Sequence, residues 1–293
     1  MPIKDVKVFI RSGLYPAASG CQFGRMKSTC HALALTLAMV AACATAVGQG
    51  AGIARGFQVV ERTMDAASGE TRYFGKIIRG TERKNNSLNR LVILSEDQFD
   101  YPAPESGCAP TAMLNILIWY EKYGLIEPFN READLRQYKL KLFHEIDRRL
   151  TKHAGMVRTE ESGIKSVDAA MVMDAMVQEH SNGQFRIHSE YFEPPLQLSH
   201  FLDTMPNFRS GYLIVTPKDK NTGKQLGPHA ATVVRADRAG NITLGTWGKL
   251  YHGLLRKRPD GQWFIPQDPE HMELKVIGLT RFIPFKPTTP ADR

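Results

Sequence analysis

The sequence predicts an α+β fold, with helices first and antiparallel strands second. Three observations lead there. Residues 112–119 are apolar almost all round (Ala112, Met113, Leu114, Ile116, Leu117, Ile118, Trp119), the mark of a helix buried on every side. Residues 131–152 and 166–180 repeat apolar side chains at helical spacing with polar faces between them. From residue 185 onward, short β-branched and aromatic runs alternate with Gly, Pro, Asp and Asn.

Taken in chain order, residues 47–54 are a Gly/Ala-rich linker. Phe57-Gln58-Val59-Val60 and Tyr73-Phe74-Gly75-Lys76-Ile77-Ile78 read as strands around an Ala67-Ser68-Gly69 turn, forming an N-terminal lobe or an arm. Lys84-Asn85-Asn86-Ser87 is loop, and Leu91-Val92-Ile93-Leu94 a short apolar strand. A loop with Pro102, Pro104 and Gly107 precedes the first helix, where Pro110 suits the first turn and Gly124 the end. The second helix covers 131–152, with Leu135, Tyr138, Leu142, Phe143 and Ile146 inward. Ser166 is placed to cap a third helix running to His180. Strands follow at 185–188, 212–215, 229–236, 242–244 and 274–285, with a short helix at 196–205 and turns at 237–240 and 259–261.

Half of the formal net charge of +8 lies in residues 1–46, where Lys4, Lys7, Arg11, Arg25 and Lys27 face Asp5 alone. No Lys/Arg-rich run marks a nucleic-acid stripe, so nucleic acid is not an expected partner. The basic front precedes an apolar run, His31 apart, from Ala32 to Val40, which Ala41, Ala42, Cys43 and Ala44 extend, and Ala44-Thr45-Ala46 offers small residues to a signal peptidase. Residues 1–46 therefore read as a secretory signal peptide, too short and Ala-rich for a membrane span, with Met26 as the expected true start. A competing reading takes Val40-Ala41-Ala42-Cys43 as a lipobox that would anchor the mature chain by a lipid on Cys43. Residues 47–90 are then a linker and β segment, and 91–293 the main domain.

Of the four cysteines, Cys21, Cys30 and Cys43 fall within residues 1–46, leaving Cys108 alone in the mature chain. No internal disulfide is expected, and an unpaired thiol in an oxidising compartment is a liability unless buried or used. Cys108 falls where a loop meets the N-terminus of the buried helix. Free backbone N–H groups and the helix dipole there favour a thiolate, which predicts alkylation at mildly acidic pH. The bland alternative is a small buried cysteine at a helix start. His229 opens an apolar strand after the 218–227 hairpin and is the best-placed base. The remaining histidines have no comparable surroundings. Neither His-Glu-x-x-His nor Cys-x-x-Cys nor a Gly-rich phosphate loop occurs, so no metal or cofactor is expected.

Together, Gln98, the Gly107-Cys108-Ala109-Pro110-Thr111 block, His229-Ala230-Ala231-Thr232-Val233-Val234 and Gly245-Thr246-Trp247-Gly248 resemble the papain-like cysteine peptidases. The likeness is greatest to the bacteriocin-processing (double-glycine leader) branch, over roughly residues 91–248. The resemblance implies a papain-like fold in which a central Cys-bearing helix packs on an antiparallel sheet bearing the histidine. It also implies Cys108 as nucleophile, His229 as general base and Gln98 as oxyanion donor beside the Cys108 backbone N–H. In that family an Asn or Asp orients the histidine, whereas this chain has Gly245. Thr243 and Asn241, on the same strand face as Gly245, are candidate substitutes, beside a water or backbone carbonyl on the imidazole or a Cys-His dyad with no orienter. The expected function is an exported thiol hydrolase acting on a peptide or protein substrate. An inactive peptide-binding module and an acyltransferase or transglutaminase-like enzyme on the same fold remain open.

Overall fold

The computed structural model describes residues 57–64, 71–77, 96–129, 134–159, 163–202, 210–266 and 272–287, all within one unit spanning Ile53–Arg293. The signal segment, the linker, the turn at 67–69, the loop at 84–87 and the strand at 91–94 lie outside the described residues. What is described is helices combined with one antiparallel sheet.

Helix α1 (Cys108–Lys122) forms where the sequence places it. Met113, Leu114, Ile116 and Leu117 have no exposed surface, so the helix is enclosed on all sides. Replacing one of these with Ala would cost about 2–5 kcal/mol, because a rigid surround cannot collapse into the gap. Gly124, at φ +70°, ends the helix, and the Leu125 N–H closes back onto the Tyr120 carbonyl at 2.9 Å. Helix α2 (Leu135–Ala154) starts later than the apolar spacing suggests. Asp134 sets the boundary by accepting from the N–H groups of Arg136 (2.7 Å) and Gln137 (3.2 Å). In α3 (Ser166–His180) the cap position falls to Lys165. Ser166 is the first helical residue instead, and its hydroxyl bonds that of Thr280 at 2.9 Å. The fourth helix, α4 (Leu198–Phe201), is a single turn.

The sheet comprises β1 (Phe57–Met64), β2 (Thr71–Ile77), β3 (Arg186–Phe192), β4 (Ser210–Asp219), β5 (His229–Ala236), β6 (Asn241–Thr246), β7 (Lys249–Leu254), β8 (Arg256–Lys257), β9 (Trp263–Ile265) and β10 (Met272–Pro287). Its main order is β1-β2-β10-β4-β5-β6-β7, with β3 and β9 also paired to β10. The β1–β2 hairpin thus extends the same sheet through β2–β10 pairing. Strands β7 to β9 are additions to the sequence reading, which saw only a decorating tail after residue 249 and the turn at 259–261.

Both faces of the central strands are buried, which is why their sequences are apolar throughout. Tyr212 and Ala230 face the helices, while Leu213, Val215, Ala231 and Val233 fill a second core on the opposite face. Asn115 stitches α1 to β5 through its amide, 3.1 Å from the Thr232 hydroxyl, both groups being buried. Among the described residues no helix is long and apolar enough to cross a membrane.

Candidate active site

The loop before α1 is built to deliver Cys108. Two short 3-10 turns, Gln98–Asp100 and Pro104–Ser106, bracket Ala103, which adopts a left-handed conformation at φ +48°. Arg158 holds this bend by donating to the carbonyls of Ala103 and Pro102, each at 2.6 Å, and to the Ser106 hydroxyl at 3.1 Å. Its own charge is balanced by Asp147 through a two-pronged ion pair of 2.8 and 2.9 Å. Tyr101 stacks on Phe143 at 4.4 Å and donates to Glu96, which also pairs with Lys139. Gly107 completes the approach. A Cβ there would stand 3.3 Å from the Gln98 Cβ and 3.2 Å from the Pro104 carbonyl, so glycine lets Gln98 lie against the start of α1.

Cys108 is the first residue of α1, and no side chain caps the helix before it. Its sulfur lies within reach of the backbone N–H groups of Ala230, Ala109 and Cys108 itself. Burial is nevertheless the largest influence and pushes the thiol up, with those N–H groups and the Arg158 charge acting in the other direction. The expected thiolate at mildly acidic pH is therefore corrected: the helix N-terminus helps, but desolvation wins, and the thiol rests protonated. The residue keeps partial surface exposure, so small electrophiles can still arrive.

His229 is the first residue of β5 and is only 7% exposed. Its Nε2 lies 2.5 Å from the Thr246 Oγ1, and its ring stacks on Trp247 with centroids 4.1 Å apart and planes 17° apart. Burial drives its pKa down to about 3, so the imidazole is neutral across the physiological range. Trp247 and Gly248, at φ +46° and +70°, form the two-residue turn between β6 and β7, closed by the Thr246–Lys249 pair. A tryptophan at positive φ is strained, and it is strained where its ring covers the histidine. Asp97 sits across from the turn, its carboxylate 3.5 Å from where a Gly248 Cβ would be. The hairpin tip therefore abuts the loop that carries Gln98.

The structure brings Gln98, Cys108 and Thr246 into one narrow crevice, with Glu96, Thr111, Asn115 and Gly245 along its walls. His229 does not line it, although the very next residue, Ala230, does, and the Ala230 N–H acts on the Cys108 thiol. No hydrogen bond links Cys108 to His229, and His229 follows the strand parity of Ala231 and Val233, on the opposite face from Ala230. Gln98 is buried, and its amide donates to the Pro104 carbonyl at 2.7 Å. That fixes one of its two N–H groups and leaves the second for another acceptor.

The expected orienters are corrected. Thr243 bonds the Nδ1 of His252 at 3.0 Å, and Asn241 donates to Asp237 at 2.8 Å on the surface. The hydroxyl on His229 is that of Thr246, one residue after Gly245. A reading of β7 as a strand would have found it, because Trp247-Gly248 then becomes a tight turn and Thr246 the last strand residue. Thr111 carries no signal in the sequence that marks it as a site residue. The residue is 4% exposed and lines the crevice, and its buried hydroxyl has no hydrogen-bond partner.

Among the described residues no group of three or more His, Cys, Asp or Glu is placed to hold a metal ion. No protein-family model matches this chain, and no curated protein matches it.

Proposed function

We propose that this chain is a papain-like thiol hydrolase that cleaves peptide or amide bonds through Cys108, with His229 as base and Gln98 as oxyanion donor. The observation that supports the reading is the meeting of α1 and β5. Cys108 and Ala230 line the same crevice, and Ala230 directly follows a histidine that is held by Thr246 and covered by Trp247. With Nε2 engaged, Nδ1 is the nitrogen left to take the thiol proton. The reading requires the Cys108 sulfur to approach the imidazole where Thr246 and Trp247 hold it, since catalytic pairs are often looser without substrate. The sulfur then attacks the carbonyl carbon, and the oxyanion meets the second Gln98 N–H and the Cys108 N–H. Each such donor is worth about 3–4 kcal/mol. The imidazolium returns its proton to the leaving amine, and water, deprotonated by His229, releases the acyl group from sulfur. The enzyme acts after export on the signal carried by residues 1–46.

A second reading, a silent peptide-binding module, draws on the protonated thiol and the absent Cys108–His229 bond. Turnover of a fluorogenic peptide library separates the two. Cys108→Ala should abolish hydrolysis, and denaturing mass spectrometry should catch an acyl group on Cys108 of the intact chain. Binding of peptides that is equal in both proteins, without cleavage in either, supports the module and overturns the hydrolase. N-terminal sequencing of exported protein should begin near Val47.

A further inference from the structure

We infer that Thr246 is the positioning residue of His229, and that it holds the imidazole through a hydroxyl that works in both directions, so that the proton can sit on either ring nitrogen. The geometry is specific. The Oγ1–Nε2 contact is 2.5 Å and buried, with Thr246 itself 5% exposed. The turn that follows, Trp247-Gly248, leaves no slack: both residues are left-handed, and the indole lies flat against the ring whose edge Thr246 holds. Rotation of the imidazole would break the hydrogen bond and the stack together.

The chemistry differs from that of an amide or carboxylate orienter. A carboxamide oxygen or a carboxylate only accepts, so it enforces a proton on Nε2 and a lone pair on Nδ1. A hydroxyl accepts from Nε2–H or donates to a bare Nε2. In the first arrangement Nδ1 can take the thiol proton; in the second Nδ1 carries the proton and cannot. Thr246 therefore holds the ring in place while permitting both neutral tautomers, and a substrate that draws the thiol proton to Nδ1 selects the first. The catalytic consequence rests on the hydrolase reading. The tautomer claim does not, and it can be measured without turnover.

The experiment is 15N-detected NMR of the imidazole in the full chain with and without Thr246→Ser, Thr246→Ala and Thr246→Val, alongside kinetics. The wild type should show a hydrogen-bonded Nε2 and ring nitrogens averaged between the two tautomers. Thr246→Ser should keep both signatures and most of kcat. Thr246→Ala and Thr246→Val should lose the Nε2 bond, lower kcat about 100-fold with KM little changed, and alter the pH profile. A wild-type spectrum with no hydrogen-bonded Nε2, or one locked in the Nδ1–H form, overturns the inference by itself. So does a wild-type kcat and pH profile in Thr246→Ala. If instead Cys108→Ala retains full hydrolysis, the hydrolase reading fails, and the spectra still decide the role of Thr246.

Discussion

The two halves of the candidate site are built by different means. The thiol half is made of main chain: backbone N–H groups of Ala230, Ala109 and Cys108 itself favour the thiolate, and Arg158 grips two carbonyls of the loop behind it. The imidazole half is made of side chains, with one hydroxyl and one indole on a two-residue turn. Main-chain donors survive most substitutions, so the thiol half fails only when its clamp is cut. The imidazole half is vulnerable residue by residue. Both halves are nonetheless set to the same electrical state, because burial keeps the thiol protonated and the imidazole unprotonated.

The largest effect should come from that burial. A histidine that titrates near 6.5 when unfolded and near 3 when folded binds its proton more readily in the unfolded chain between those values. Stability is then fully present above pH 6.5 and falls as the pH drops toward 3, by up to about 5 kcal/mol from this residue. Urea titrations across that range should show the slope, and His229→Gln should flatten it. A wild-type slope in His229→Gln would place the pH sensitivity elsewhere.

The clamp comes next. Arg158→Ala leaves Asp147 without its partner and frees the carbonyls of Pro102 and Ala103, which predicts a loss of about 3–5 kcal/mol. In the same variant Cys108 should alkylate faster at fixed pH, the loosened loop outweighing the lost Arg158 charge, which favours the thiolate. Iodoacetamide rates compared with a denaturant curve check both at once; a destabilised protein with unchanged alkylation would separate the clamp from the thiol.

Alkylation of the wild type sharpens the electrostatic half of the comparison. The rate should be low at mildly acidic pH and rise only above the range of an ordinary thiol, since burial pushes Cys108 up. Fast labelling at pH 5 would mean that the N–H groups and Arg158 outweigh desolvation after all. The smallest effect is expected at the turn. Gly248→Ala must hold φ +70° with a side chain, at a cost of about 1 kcal/mol, while its Cβ meets Asp97 at an ordinary distance. Thermal melts should register that loss, with the Trp247 fluorescence little changed if the stack persists.

Much of the fold is legible in the sequence alone. The α1 sequence is apolar on every side, and only a central helix can bury that; the continuous runs in β4 and β5 likewise require cover on both faces. Cys108 and His229 stand out because a helix start and a strand mouth are recognisable from their neighbours. What escaped depends on contacts distant in sequence. Ser166 looked like a cap, but Thr280, 114 residues away, claims its hydroxyl. The β7 strand is half exposed, with Lys249, Leu250 and His252 facing outward, so it carries no buried stripe to reveal it. Without β7 there is no Trp247-Gly248 turn, and without the turn Thr246 has no visible task. The direction of the Cys108 shift was illegible for a related reason: the helix end is local, whereas burial is the work of the whole fold.

The protonated resting state of Cys108 has a consequence for durability. Peroxide and other oxidants attack sulfur mainly as the anion, and the first product, a sulfenic acid, leads on to irreversible acids. A thiol that its surroundings keep neutral is a slow target for that chemistry. The partial exposure that admits a reactant is thus coupled to a sulfur kept in its unreactive form, and the same burial that makes the thiol a reluctant nucleophile shields it from oxidants.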